Sequence, residues 1–176
     1  MFNLNSFFLP KFCRLIDLET KERVLAERHI KLIWHFIFDE CPSLQSKFSF
    51  FFEEFLEWSY VNWVDLDWSF VLQYLKWLAY EKLTVEFDKQ IISEVMLAAL
   101  NAWGKSNKSE MCCCKLICRL LPNKIFVVRK GNEWNEPRRV FILELNMPFT
   151  FKTFDFAYFS EEESLNFNVP FKWKEI

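Results

Sequence analysis

The chain has 176 residues, of which 52% are hydrophobic and 19% aromatic, and its formal net charge is −2. Such a share of apolar side chains excludes a disordered chain, because their burial offsets the entropy lost on ordering. The chain has only two glycines, Gly104 and Gly131. This excludes glycine-rich phosphate loops, dinucleotide-binding turns and nucleophile elbows.

Apolar residues recur at helical spacing through the first two thirds of the chain. Four helices are predicted, over about residues 20–39, 44–60, 70–78 and 91–103. Asp67 is the expected N-cap of the third helix, and Gly104 is expected to end the fourth in the left-handed conformation. A fifth, shorter helix is predicted from Ser109 to Leu121, because Pro122 cannot continue it.

The remaining residues have the patterns of short strands. Two β-branched runs, Lys124–Arg129 and Arg139–Leu145, predict a hairpin with a long loop around Gly131. Alternating apolar residues predict further strands between Phe149 and Tyr158 and between Leu165 and Val169. The predicted fold class is therefore α+β. An N-terminal bundle of four to five helices occupies residues 1–121, and a small antiparallel β-sheet in residues 122–176 packs on it as one compact unit.

Hydropathy and cysteine usage predict an intracellular protein, in the cytoplasm or the nucleus. No stretch of 18 uncharged residues is present, so no transmembrane helix is expected. The first ten residues lack the basic leader of a signal peptide. The six cysteines are expected to be reduced, because a large core makes a disulfide framework unnecessary.

Three of these cysteines are adjacent, Cys112, Cys113 and Cys114, and Cys118 follows. On a helix only Cys114 and Cys118 share a face well, and structural zinc draws spaced pairs from two segments. We therefore predict no metal site and no cofactor. Burial of these small apolar side chains is the favoured interpretation. Lipid attachment at Cys112–Cys114, beside several basic residues, is the alternative.

No catalytic signature occurs in the sequence. His35 has Asp39 one helical turn later and Cys41 close by, so a cysteine-dependent enzyme is one alternative function. An ordinary pair on a helix face next to a buried thiol is the simpler interpretation. We therefore predict that the protein is not an enzyme.

A second alternative is nucleic-acid binding by the basic hairpin over residues 124–139. Residues 105–140 contain nine basic and three acidic residues. Basic side chains neutralise phosphates, and an exposed aromatic ring in the loop can stack on a base. The residues with these roles would be Lys124, Arg129, Lys130, Trp134, Arg138 and Arg139.

The leading functional signal is a cluster of large aromatic residues between the second and third predicted helices. Trp58, Tyr60, Trp63 and Trp68 lie within eleven residues, and one helical stripe cannot bury them all. Exposed Trp and Tyr dominate binding hot spots, although rings that complete the core are the other interpretation. We predict a non-enzymatic, intracellular protein that binds another protein near residues 58–68. An accessory or host-modulating factor of a virus or mobile element would suit such a chain.

Overall fold

The computed structural model describes residues 20–82, 87–106, 114–121, 124–129, 139–144, 156–160 and 174–175. In this part of the chain the helices come first and an antiparallel sheet follows, which confirms the α+β class. The α-helices are α1 (Thr20–Phe38), α2 (Pro42–Phe48), α3 (Phe52–Val61), α4 (Phe70–Trp77) and α5 (Lys89–Ser106). The strands are β1 (Cys114–Leu121), β2 (Lys124–Arg129), β3 (Arg139–Glu144), β4 (Phe156–Ser160) and β5 (Lys174–Glu175).

The predicted helix over residues 44–60 is interrupted in the structure. Ser49–Phe51 form a 3-10 turn between α2 and α3, and Phe48 before it has a non-helical backbone, with φ −132° and ψ 0°. The hydroxyl of Tyr74 donates a 2.7 Å hydrogen bond to the carbonyl of Phe48. Because α4 supplies this partner, the carbonyl is satisfied without a continuous helix. Apolar spacing alone could not reveal the break.

Helix α4 begins three residues after Asp67, its predicted N-cap. The backbone amide and the hydroxyl of Ser69 both donate to Oδ1 of Asp67, each at 2.7 Å. Asp67 therefore forms a turn ahead of the helix, and Ser69 takes the N-cap position. Beyond Trp77 the helix continues as a π-helical turn over Leu78–Lys82. The Lys82 ammonium pairs with Glu54 of α3.

Helix α5 is anchored at its beginning by carboxylates. Oδ1 of Asp88 accepts a 2.9 Å hydrogen bond from the amide of Ile91, which caps the first turn. Glu94 accepts hydrogen bonds from the amide of Ser43 at 2.8 Å and from its hydroxyl at 2.7 Å. Since Ser43 lies in the first turn of α2, Glu94 ties the start of α2 to α5.

Two predictions about the end of the helical part are wrong. Helix α5 continues through Gly104 to Ser106, and no glycine in the described residues has a positive φ. Residues Cys114–Leu121, predicted as most of a fifth helix, form strand β1. This strand lies between β2 and β4, and its backbone pairs on both sides override the helical spacing of its apolar residues.

The sheet has the strand order β3-β2-β1-β4-β5, with each neighbouring pair antiparallel. Arg129 lies opposite Arg139, and Lys124 lies opposite Glu144, which confirms the predicted pairing of these two runs. The loop around Gly131 lies outside the described residues. So do residues 145–155 and 161–173, which contain the other predicted strands apart from β4.

One hydrophobic core joins the helices to the sheet. Its largest fully buried side chains include Trp103, Tyr74, Phe38, Phe55, Phe126 and Phe156. The sheet meets α5 through β1 and β2. Strand β2 is buried on both faces, because Phe126 and Val128 join the core while Ile125 and Val127, which alternate with them, are also buried.

Candidate functional site

Helix α3 ends in a turn that places Trp63 in a strained conformation. The amide of Val64 donates to the carbonyl of Ser59 at 2.9 Å, and the amide of Trp63 donates to that of Tyr60 at 3.2 Å. This pair of bonds is the Schellman motif, whose left-handed position glycine normally occupies. Here that position is Trp63, with φ 54°. A left-handed non-glycine residue costs about 1 kcal/mol or more, and such strain concentrates at functional sites.

The same turn exposes the Trp63 side chain. Trp63 is 71% exposed, and its ring stacks on Tyr60, with centroids 6.3 Å apart and planes inclined by 24°. The neighbouring side chain of Val61 is 68% exposed. We call Tyr60, Val61 and Trp63 the Trp63 surface. It is an apolar site at the end of α3 that a partner could cover.

The other two tryptophans of the predicted cluster pack against the core. Trp58 is half-buried, with its ring 5.9 Å from Phe55 and 6.4 Å from Trp77. Trp68 stacks on the buried Trp103 at 4.8 Å, with the planes inclined by 17°. The structure therefore divides the four predicted residues: Tyr60 and Trp63 meet at the surface, and Trp58 and Trp68 pack inward.

Acidic residues flank the Trp63 surface in the sequence. Glu57 precedes Tyr60 by one helical turn on α3, and Asp65 follows Trp63 by two residues; both are exposed. Within the described part of the chain, neither carboxylate has an ion pair. The site predicted from the sequence did not include these acidic residues. The sequence does show, however, that the stretch between Lys47 and Lys76 contains acidic residues and no basic ones.

A groove of about 550 Å³ lies at the other end of α3. Ile30 and Trp34 of α1 form one apolar wall, and Phe50 and Phe52 form the other. The rim is polar and consists of Glu27, Lys31, His35, Ser49 and Glu53. Sequence reasoning did not identify this groove, because its two walls come from segments that only the fold brings together.

The predicted nucleic-acid residues are only partly described. Lys124 pairs with Glu144 across the hairpin, with Nζ and Oε1 2.7 Å apart. This pair holds the pKa of the Glu144 carboxyl below its usual range, chiefly through the hydrogen bond from Lys124. Arg129 and Arg139 are register partners on β2 and β3. Lys130, Trp134 and Arg138 lie outside the described residues.

The proposed cysteine–histidine pair has the wrong environment for a nucleophile. His35 is exposed, with Nδ1 2.9 Å from Oδ1 of Asp39. Cys41 is fully buried, and burial, with the nearby Glu94 and Glu40 carboxylates, raises the pKa of its thiol to about 12. A thiol that is buried and protonated at neutral pH cannot attack a substrate.

The same residues bear on metal binding and on membrane insertion. Among the described side chains, no three His, Cys, Asp or Glu residues are grouped as metal ligands would be. No helix in the described ranges has the length and apolar character needed to cross a membrane. Cys118 is a buried thiol facing the core, whereas Cys112 and Cys113 lie outside the described residues.

The fold and the Trp63 surface together define an α+β protein that exposes aromatic rings at the end of a helix. A family profile described as "Methanobactin biosynthesis cassette protein MbnC-like" matches residues 17–176. The match spans nearly the whole chain, and the chain therefore belongs to the MbnC-like family of methanobactin biosynthesis cassette proteins. A comparison with curated protein sequences gives no significant match.

Family membership corrects the predicted function. The prediction that the protein is not an enzyme is wrong, because a biosynthesis cassette makes a product and membership of it points to an enzymatic role. The family supports an accessory role in biosynthesis. It gives no support to nucleic-acid binding or to a viral or mobile-element origin. The family could not be found from motifs, since the sequence contains no catalytic signature.

Proposed function

We propose that the chain is an accessory subunit of the enzymatic machinery that makes methanobactin, and that it binds another protein of that machinery through the Trp63 surface. The biosynthetic context comes from the family match. The observation that carries the binding role is the exposed, left-handed tryptophan at the end of α3.

The energetics of Trp63 favour a partner. A tryptophan side chain offers up to about 250 Å² of surface, and 71% of this one is exposed. Covering that fraction would bury about 180 Å², which corresponds to a gross gain of about 4 kcal/mol at 25 cal/mol per Å². Ordering costs reduce the net value, and truncating a tryptophan at a binding hot spot costs about 2 kcal/mol or more. This gain exceeds the backbone strain at Trp63.

The first experiment measures methanobactin production in cells. The gene for this chain is deleted in a strain that carries it with its cassette, and the strain is complemented with wild type, Trp63→Ala or Leu32→Ala. Leu32 is a matched control because it is an apolar side chain, 63% exposed, on α1 and outside the Trp63 surface. Methanobactin is quantified by mass spectrometry, and the level of each variant is measured by immunoblotting.

We expect Trp63→Ala to lower methanobactin at least tenfold at normal protein level, because a loss of about 2 kcal/mol weakens binding about thirtyfold. Leu32→Ala should support wild-type production. The proposed interface is wrong if Trp63→Ala also supports wild-type production. The biosynthetic role itself is wrong if the deletion strain makes methanobactin normally.

A further inference from the structure

The chemistry of the partner can be inferred from the charge around the Trp63 surface. Between Lys47 and Lys76 the sequence has no lysine, arginine or histidine. The same stretch contains Glu53, Glu54, Glu57, Asp65 and Asp67. The exposed aromatic rings therefore lie in a segment of uniformly negative formal charge.

Helical spacing places several of these groups on one side of α3. Glu53, Glu57 and Tyr60 follow at steps of four and three residues, so they share a face. Trp63 extends this face at the end of the helix, and its ring stacks on Tyr60. We call Glu53, Glu57, Tyr60, Trp63 and Asp65 the acidic–aromatic face.

The carboxylates of this face differ from their neighbour Glu54. Glu54 is paired with the Lys82 ammonium. In the residues that the structure describes, Glu53, Glu57 and Asp65 have no ion pair and no side-chain hydrogen bond, although all three are exposed. Glu57 and Asp65, the unpaired carboxylates closest in sequence to the exposed indole, leave both parts of a cation-binding site available.

From this arrangement we infer that the acidic–aromatic face binds a basic, arginine-bearing segment of the partner protein; the inference rests on the proposed function. A guanidinium group donates paired hydrogen bonds to carboxylates and stacks flat on aromatic rings. Both interactions are available here, since Glu57 lies one turn from Tyr60 and the Trp63 ring is open to solvent. Cation–π contact with Trp63 adds about 0.5–1 kcal/mol at an exposed site.

The same charges disfavour other ligands. Phosphate groups of nucleic acids or lipid headgroups would face unpaired carboxylates, and like charges repel. An acidic protein segment would meet the same repulsion. An uncharged apolar segment could cover Trp63 but would leave the carboxylates unpaired and partly desolvated, which is costly. A basic segment alone satisfies both the rings and the charges.

The test uses the full chain with its tryptophans labelled with ¹⁵N, so that each indole N–H gives a separate resonance. The Trp63 resonance is assigned by its loss in Trp63→Phe. The probe is a short capped peptide in which arginine alternates with glycine and leucine. The matched peptide carries glutamate in place of arginine. Titrations are recorded in low salt and in about 0.5 M salt, where exposed charges are largely screened.

We expect the arginine peptide to shift the Trp63 resonance to saturation and the glutamate peptide to have no effect. High salt should weaken binding at least tenfold. The double variant Glu57→Gln with Asp65→Asn should weaken it at least fivefold. Glu81→Gln should leave it unchanged, because Glu81 is an exposed carboxylate on the π-helical turn and is not part of this face.

Three results would overturn the inference: no Trp63 shift up to millimolar arginine peptide, equal binding of the glutamate peptide, or undiminished binding by the double variant. These outcomes are separate from failure of the proposed function. If the peptide binds as expected but Trp63→Ala cells make normal methanobactin, the face prefers basic segments without serving biosynthesis. If production depends on Trp63 but the arginine peptide does not bind, the interface stands and the partner is not basic.

Discussion

Replacing Trp63 by alanine and by glycine separates the conformation of its backbone from the contacts of its ring. Both variants remove the indole, so they lose the same stacking on Tyr60 and the same partial burial. They differ in the cost of a positive φ, which Trp63 adopts at 54°. Because glycine has no Cβ, it avoids a penalty of about 1 kcal/mol that alanine retains. We expect Trp63→Gly to be more stable than Trp63→Ala by about this amount.

Val61 provides the matched control. It is similarly exposed, but it is the last residue of α3, where helical backbone makes glycine less favourable than alanine by up to about 1 kcal/mol. The order of stability should therefore reverse between two positions only two residues apart. The free energy of unfolding is measured by urea denaturation, followed by far-ultraviolet circular dichroism so that losing a tryptophan does not affect the signal. In a chain of this size, 1 kcal/mol corresponds to about 2–4 °C in Tm.

The opposite outcome is that Trp63→Gly is no more stable than Trp63→Ala while the pair at Val61 shows the expected order. The backbone of residue 63 would then not be held in the left-handed region. Its exposure would no longer be linked to strain, and backbone strain would no longer mark Trp63 as a functional position.

Three further outcomes are expected. Tyr74→Phe should lower the free energy of unfolding by about 1–2 kcal/mol in urea denaturation, because the buried carbonyl of Phe48 loses its hydrogen bond; an unchanged value would contradict this. Native Cys41 should react with iodoacetamide at pH 8 at least a hundredfold more slowly than in urea, as followed by peptide mass spectrometry, because burial raises its pKa to about 12. The hydrogen bond from Lys47, with the Ile91 amide, lowers the pKa of Asp88, so its contribution to stability is present above about pH 4 and is lost as the pH falls. Asp88→Asn keeps a capping oxygen and should flatten the loss of stability between about pH 5 and pH 3, measured by urea denaturation at each pH.

The sequence predicts correctly those elements whose own residues have a clear helical or strand pattern. Helix α1 has a regular apolar stripe and was predicted within one residue of its end. The hairpin of β2 and β3 was predicted from two β-branched runs. By contrast, the break at Phe48 depends on a hydroxyl 26 residues away in sequence, which no local pattern contains.

Strand β1 was predicted wrongly because its own residues fit a helix as well as a strand. Its residues, from Cys114 to Leu121, include only one β-branched side chain, Ile117, and their apolar spacing also fits a helix. Strand pairing on both sides decides the conformation. The same limit applies to the aromatic cluster. Its position was evident from the sequence, but which rings remain exposed depends on how α3 ends and on the packing of Trp68 against Trp103.

The absence of basic residues from the sequence on either side of Trp63 also determines how an assembly containing this protein should be mapped. Amine-reactive cross-linkers need lysine, and none lies between Lys47 and Lys76. Such reagents would leave the acidic–aromatic face unlabelled even in a tight complex. A carbodiimide, which joins carboxylates to amines, would instead link Glu57 or Asp65 to a lysine of the partner. Trypsin would then release the whole face as one peptide, from Phe48 to Lys76, with its cross-link intact.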